Sequence, residues 1–133
     1  MEMMSVIYAV SDLHGCYDKY IKLLERLKMT SDDSLYILGD IVDRGSDGMK
    51  ILLSLIKRKN VFSCRGNHDH CAQILLRSFA IPKDGYFADG LEEAFRLWLS
   101  DGGSPTYPFA GSFEVLQTAN KHTGQDLCSC PVY

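Results

Sequence analysis

Residues 6–15 read VIYAVSDLHG, and this stretch decides the fold. Five apolar residues in succession predict a short buried β-strand over residues 6–10. Asp12, His14 and Gly15 follow within a few positions, so the strand is expected to end in a loop that carries a carboxylate and an imidazole. The same order, an apolar strand and then a polar loop, recurs twice further along the chain.

The second and third copies of this pattern are equally compact. The apolar run at residues 35–38 stops at GDIVDRG, residues 39–45. The run at residues 61–64 stops at RGNHD, residues 65–69. Glycines in these loops would permit tight turns and the close approach of a ligand.

Helical periodicity separates the three strands. Apolar residues recur at helical spacing over residues 17–28 and 47–59, and further helices are expected near residues 71–79 and 91–99. In the second helix Met49, Leu52, Leu53 and Ile56 are expected to face inward. Strands that alternate with helices in this way predict a parallel, doubly wound α/β sheet.

The three polar loops are expected to meet at one edge of that sheet. In open α/β sheets, ligands bind outside the carboxyl ends of the strands. Each loop alone has an ordinary explanation: a surface Asp-x-His, a polar turn, or an exposed ion pair between Asp43 and Arg44. Together, three loops of carboxylate, imidazole and amide groups favour a site for Mn, Fe or Zn.

The composition narrows the class of partner. The chain has 133 residues, with 14 Lys and Arg against 17 Asp and Glu, and its net charge of −3 argues against binding to nucleic acid. A small phosphorylated substrate remains compatible with this negative net charge, because a bound metal could supply positive charge. The N-terminus does not resemble a signal peptide, and no apolar stretch approaches the roughly 18–20 residues of a membrane helix. Five scattered cysteines favour a reducing cytoplasm.

DLH at residues 12–14, GDIVDRG at 39–45 and GNHD at 66–69 together resemble the motifs of the calcineurin-like metallophosphoesterases. Arg44-Gly45 and the stretch Trp98–Tyr107 resemble its phosphoprotein-phosphatase branch, which includes bacterial serine/threonine phosphatases and symmetrical dinucleoside-tetraphosphatases. The resemblance covers residues 5 to about 103. It implies the N-terminal half of a four-layer α/β/β/α sandwich, with a βαβαβ core plus helices.

The resemblance also implies a dinuclear metal site. Asp12 and His14 would hold the first divalent ion, and Asp40 would bridge both ions. Asn67 would bind the second ion and contact the phosphate. Two ions placed about 3.5–4 Å apart activate water and stabilise both oxygens of an in-line displacement.

The same resemblance assigns the acid and the phosphate contacts. His68 would be the general acid that protonates the leaving oxygen, and Asp43 would orient its imidazole. Arg44 would bind the phosphate with its planar guanidinium, with help from Arg65.

The C-terminal part departs from the family pattern. Relatives are expected to continue for about a hundred further residues, which supply two more histidine ligands to the second metal. Here only His122 remains in that part, and the residues before it do not predict a strand. The second metal site is therefore expected to be incomplete. Residues 1–103 are expected to form the core, and the nearly uncharged residues 104–133 a poorly structured tail or the stub of a missing second half.

The leading hypothesis is a metal-dependent phosphoesterase that acts on a phosphoserine or phosphothreonine protein or on a dinucleoside polyphosphate. The alternative is a truncated, catalytically weak or inactive module that binds metal or phosphate. A nucleotide-binding Rossmann domain is disfavoured, because the loop after the first strand is not a glycine-rich dinucleotide loop.

Overall fold

The computed structural model describes residues 4–80 and 90–108, with the side chains of residues 77–80 excepted. His122 and the rest of the expected tail beyond residue 108 lie outside the described residues. The strands are β1 (Ile7–Val10), β2 (Ser34–Ile37) and β3 (Val61–Ser63). The helices are α1 (Tyr17–Leu27), α2 (Gly48–Ile56), α3 (Asn67–Ala80) and α4 (Leu91–Trp98), and α4 continues into a π-helical turn, Leu99–Gly103. None of the helices in these described ranges is long and apolar enough to cross a membrane.

The three strands form one parallel sheet in the order β1-β2-β3, which confirms the parallel α/β class. Because βαβ crossovers are right-handed, a sheet that grows in one direction carries its crossover helices on one face. Accordingly, α1 and α2 contact each other. The doubly wound arrangement is wrong for the described sheet, since its strand order does not reverse. A sheet with helices on one face matches the N-terminal half of an α/β/β/α sandwich.

The core lies between the sheet and these helices. Leu35 and Ile37 from β2 and Ile51 from α2 are fully or almost fully buried there. The sequence prediction for α2 was partly wrong, because Leu53 is 45% exposed whereas Ile51 and Leu55 are buried. Apolar residues surround most of α2, so their spacing alone could not select the buried face.

The opposite face of the sheet is apolar but less covered. Tyr36 and Phe62 are register partners whose rings stack with centroids 5.1 Å apart. Ile7 on β1 is 72% exposed, so the prediction of a buried first strand is wrong. Within the described residues β1 lies at the edge of the sheet, and its exposed residues alternate with the half-buried Tyr8 and Val10. Continuous apolar strands are typical of sheets covered on both faces, which explains the misjudged burial.

Candidate active site

The loops that follow β1 and β2 are joined by backbone hydrogen bonds. His14 N–H donates to the Asp40 carbonyl at 2.8 Å, and Gly15 N–H donates to the Ile41 carbonyl at 2.8 Å. The loops after β2 and β3 touch at a pair of glycines: a Cβ added to Gly39 would lie 2.6 Å from Gly66 Cα. No side chain fits between them, so these two loops are held in backbone contact.

Five candidate site residues adopt left-handed backbone angles. Their φ values are 57° for Asp12, 40° for His14, 54° for Asp40, 69° for Asp43 and 66° for Arg44. Such conformations cost about 1–3 kcal/mol each and persist only where the surrounding structure enforces them. They place unusual backbone geometry in two of the three motif loops, those after β1 and β2.

Asp12, His14 and Asp40 form a group that could hold a metal ion. One ligand atom from each lies within 4.8 Å of the others. The His14 Nδ1–H donates to the Val42 carbonyl at 3.1 Å, and because a carbonyl only accepts, the Nε2 lone pair is left for an ion. Two carboxylates and an imidazole oriented in this way fit a divalent metal, and we call them the metal triad.

A buried Asp–His pair lies beside the metal triad. The His68 Nδ1–H donates to Asp43 Oδ2 at 2.9 Å, and Asp43 is fully buried. The His68 backbone N–H donates to Asp40 Oδ1 at 3.0 Å, which ties the start of α3 to the triad. The rings of His68 and His14 meet edge to face, with centroids 4.9 Å apart. The triad and the pair therefore share one site.

Arg44 lies between the two imidazoles. Its guanidinium is 3.4 Å from His14 Nε2 and donates to His68 Nε2 at 3.2 Å. The exposed Asp101 carboxylate lies 3.9 Å from the same guanidinium and 3.7 Å from His68 Nε2. The arrangement presents a cation at the mouth of the site, next to both Nε2 atoms, where an anionic substrate group could bind.

Asn67 and Arg65 lie at the rim. Asn67 is exposed and begins α3, one residue before His68. Arg65 is also exposed, and its guanidinium donates to the side chain of Gln73 on α3. The structure thus brings together six of the predicted site residues: Asp12, His14, Asp40, Asp43, Arg44 and His68. The Arg65 side chain instead contacts Gln73.

Asp69 connects the loops after β2 and β3. Its carboxylate accepts hydrogen bonds from the backbone N–H groups of Ile41 at 2.9 Å, Val42 at 3.1 Å and Gly66 at 3.0 Å. Burial raises the pKa of Asp69, and these three donors act in the opposite direction. The GNHD motif contained Asp69, but sequence reasoning gave it no function.

Sequence reasoning also missed Trp98 and Thr106. Trp98 Nε1–H donates to Asp43 Oδ2 at 2.7 Å, and the Thr106 hydroxyl donates to Asp43 Oδ1 at 2.6 Å. Both residues fall in the Trp98–Tyr107 stretch that resembles the family, so a signal for them existed. Thr106 is buried although it lies beyond the core boundary expected at residue 103.

The family model for calcineurin-like phosphoesterases matches residues 5–130. The chain belongs to this family. The symmetrical bis(5'-nucleosyl)-tetraphosphatase of Buchnera aphidicola subsp. Schizaphis graminum is 44% identical over 66 residues, which are 47% of this chain and 24% of that protein. The protein of the same name from Mannheimia succiniciproducens is 39% identical over 79 residues, covering 57% of this chain and 28% of its own length.

A solved structure is also similar to part of the chain. A crystal structure described as a candidate diadenosine tetraphosphatase superposes with a TM-score of 0.50 at 30% identity, covering 59% of this chain and 38% of that one. The chain spans about a quarter of the length of the curated relatives it matches.

Proposed function

We propose that this calcineurin-like phosphoesterase hydrolyses phosphate esters at the site formed by the metal triad, the Asp43–His68 pair and Arg44. The observation that carries the proposal is the position of the buried Asp43–His68 pair. Its imidazole lies against His14 of the metal triad and against the Arg44 guanidinium. An ion pair that only stabilises the fold needs neither a metal group nor an exposed cation beside it. A phosphoesterase uses a proton donor, a metal ion and a cation that binds phosphate, and the Asp43–His68 pair, the metal triad and Arg44 fit these functions.

The metal triad would hold a divalent ion such as Mn, Fe or Zn through Asp12, His14 Nε2 and Asp40. An ion bound there supplies a Lewis acid that activates water and offsets the negative charge of the phosphate. Asn67 is proposed as a ligand of a second ion, together with Asp40. That second site needs ligands beyond those placed by the described residues.

The protein's own residues would bind the ester and move one proton. Arg44 would leave His68 Nε2 and bind the phosphate oxygens with its two terminal nitrogens. His68, held through Nδ1 by Asp43, would carry a proton on Nε2 and give it to the leaving oxygen. Overall, a water oxygen forms the new P–O bond and the water loses a proton to solvent. The P–O bond to the leaving group breaks, which is an ester bond in a phosphoprotein and an anhydride bond in a dinucleoside polyphosphate, and the proton from His68 goes to the alcohol or nucleotide that departs. Arg65 stays a predicted phosphate contact, and it would first have to release Gln73.

A dinucleoside polyphosphate is the substrate that we propose first. The relatives named above are symmetrical bis(5'-nucleosyl)-tetraphosphatases and match the segment that carries the motifs. A phosphoserine or phosphothreonine protein is the second candidate, supported by the resemblance of Arg44-Gly45 to the phosphoprotein-phosphatase branch. The alternative function, a module that binds metal or phosphate with little turnover, follows if the second ion cannot be held.

The test is Mn²⁺-dependent hydrolysis by the purified full chain. Diadenosine tetraphosphate, a phosphoserine peptide and p-nitrophenyl phosphate would be compared as substrates, with Mn²⁺ binding measured in parallel by calorimetry. His68→Asn and Asp43→Asn should reduce turnover by at least about 100-fold, the lower end of what a general acid contributes. His70→Asn is the matched control, since His70 follows on the same helix and donates no side-chain bond to the described site.

The outcomes separate the two functions. Turnover that is lost in His68→Asn and Asp43→Asn and kept in His70→Asn supports the phosphoesterase. Stoichiometric Mn²⁺ binding without turnover favours the binding module. Robust turnover that both substitutions leave intact contradicts the proposed chemistry.

A further inference from the structure

The Asp43 carboxylate is surrounded by hydrogen-bond donors that come from a distant part of the chain. Oδ2 accepts from His68 Nδ1 at 2.9 Å and from Trp98 Nε1 at 2.7 Å, and Oδ1 accepts from the Thr106 hydroxyl at 2.6 Å. Asp43 is fully buried, and Trp98 and Thr106 are 3% and 4% exposed. A buried carboxylate is strongly destabilising unless such donors satisfy it, so these contacts are obligatory for the charged form.

The segment that supplies these donors also holds the backbone of Asp43 and Arg44. The Asp43 N–H donates to Thr106 Oγ1 at 3.0 Å, and the Arg44 N–H donates to the Gly102 carbonyl at 2.7 Å. Both residues are left-handed, with φ of 69° and 66°. Residues 98–106, which we call the bracing segment, thus contact the strained dipeptide through its side chain and through both of its amides.

The donors determine which way the carboxylate faces. A carboxylate bound only by His68 could rotate about its Cβ–Cγ bond and still keep one hydrogen bond. With Trp98 on the oxygen that His68 uses and Thr106 on the other, rotation would break both of these contacts. The imidazole is then held with Nδ1 protonated and Nε2 facing Arg44 and the metal triad.

We propose that Trp98 and Thr106 are positioning residues that fix the Asp43 carboxylate and, through it, the imidazole of His68 for proton donation. This inference rests on the proposed phosphoester hydrolysis. Neither residue contacts the substrate in this proposal, and both act through Asp43.

A leaving-group comparison distinguishes positioning from a merely structural contribution. Expulsion of a poor leaving group such as phenol depends strongly on a general acid. Expulsion of p-nitrophenol depends on it much less. Thr106→Val and Trp98→Phe should therefore lower kcat for phenyl phosphate about tenfold more than kcat for p-nitrophenyl phosphate, a part of the 10²–10⁴-fold contribution of a general acid. KM should change little, because Arg44 still binds the phosphate. Thr106→Ser retains the hydroxyl and should restore the wild-type ratio.

Thr30→Val is the matched control. The Thr30 hydroxyl donates to the Asp33 carboxylate at 3.0 Å, away from the site, so this substitution removes the same kind of hydrogen bond. It should change the stability of the chain but not the ratio between the two substrates. An equal loss of kcat on both substrates in Thr106→Val and Trp98→Phe would overturn the proposal.

A second measurement does not depend on turnover. At a pH where the His68 ring is neutral, ¹⁵N-edited spectra of the full chain should show its proton on Nδ1 and not on Nε2, because Nδ1–H donates to Asp43. Thr106→Val and Trp98→Phe should introduce the other tautomer or broaden these signals. If both variants retain the wild-type tautomer, the positioning proposal is overturned, whether or not the chain is active. An inactive wild-type chain with the expected tautomer change would instead contradict only the proposed hydrolysis.

Discussion

Asp69 should be a larger contributor to stability than any exposed carboxylate of the chain. It is 9% exposed and accepts hydrogen bonds from three backbone N–H groups in two different loops. In Asp69→Asn the amide oxygen can accept from Ile41 and Val42, but the amide NH₂ then faces the N–H of Gly66. An unsatisfied buried donor costs about 1–3 kcal/mol, so we expect a loss of about 2 kcal/mol in the free energy of unfolding.

Asp69→Ala leaves all three N–H groups without their acceptor. At about 1–3 kcal/mol for each, and with water reaching part of the space, we expect a loss of about 4 kcal/mol. This is a large share of the roughly 5–15 kcal/mol that stabilises a typical domain. The assay is urea unfolding followed by circular dichroism. Asp32→Asn is the control, since Asp32 is exposed and its described side-chain bond is to Ser31. Such a surface change should stay within about 0.5 kcal/mol.

Asp69→Asn should also weaken metal binding at the metal triad. Asp69 holds the Val42 N–H, and the Val42 carbonyl orients the His14 imidazole. Loss of a group that orients a ligand typically costs about 10–100-fold in metal affinity, so Asp69→Asn should weaken Mn²⁺ binding about tenfold by calorimetry. If Asp69→Asn and Asp69→Ala both unfold within about 0.5 kcal/mol of wild type, the three backbone bonds are not what holds these loops together.

Two further predictions concern a carboxylate far from the site and the contact between loops. Hydrogen bonds from two backbone N–H groups and a hydroxyl lower the pKa of Asp33, so the stabilisation it contributes is present above about pH 4 and is lost as the pH falls through its folded-state pKa. Asp33→Asn should therefore make the urea midpoint less sensitive to acid, which a pH series of unfolding curves would test. In Gly66→Ala the new Cβ would lie 2.7 Å from the Asp40 carboxyl carbon, so we expect a loss of about 1–3 kcal/mol and weaker Mn²⁺ binding. Gly90→Ala, where φ is 84° and no atom from the other described residues lies within 4 Å of the new Cβ, should cost about 1–2 kcal/mol and leave Mn²⁺ binding unchanged. Equal metal binding in both variants would refute the steric argument.

The elements of the fold were predictable because their signals are local. Each of the three strands lies within a residue or two of the apolar run that predicted it, and α1 matches its periodic stretch. The buried face of α2 was not predictable, because Ile51 and Leu53 are chemically alike and tertiary packing buries the first and exposes the second. The start of α3 was also missed, since Asn67 and His68 belong to a loop motif and yet form the first turn of the helix.

Some residues of the candidate site were likewise predictable from the sequence, and others were not. Asp12, His14 and Asp40 were found because each directly follows a strand, and topology alone brings strand ends together. Trp98 and Thr106 were missed because their partner is 55 and 63 positions away in the sequence, and the separation carries no periodic signal. A Trp within an amphipathic helix and a Thr between two prolines have ordinary explanations until the buried carboxylate that they contact is known.

Backbone strain gives a reason, independent of motifs, to place the chemistry at these residues. In the loops after β1 and β2, Gly15 and Gly39 also have positive φ, at 67° and 97°, and glycine adopts such angles at little cost. If the loops required only the conformation, glycine would serve equally well at the neighbouring positions. Asp residues tolerate these angles better than most, so Arg44 at φ 66° is the most informative case. Its conformation is maintained by the Gly102 carbonyl, and its guanidinium is the group that reaches both imidazoles. The cost of holding Arg44 there has a physical explanation only if its side chain is needed at that point, which favours Arg44 as the phosphate-binding group.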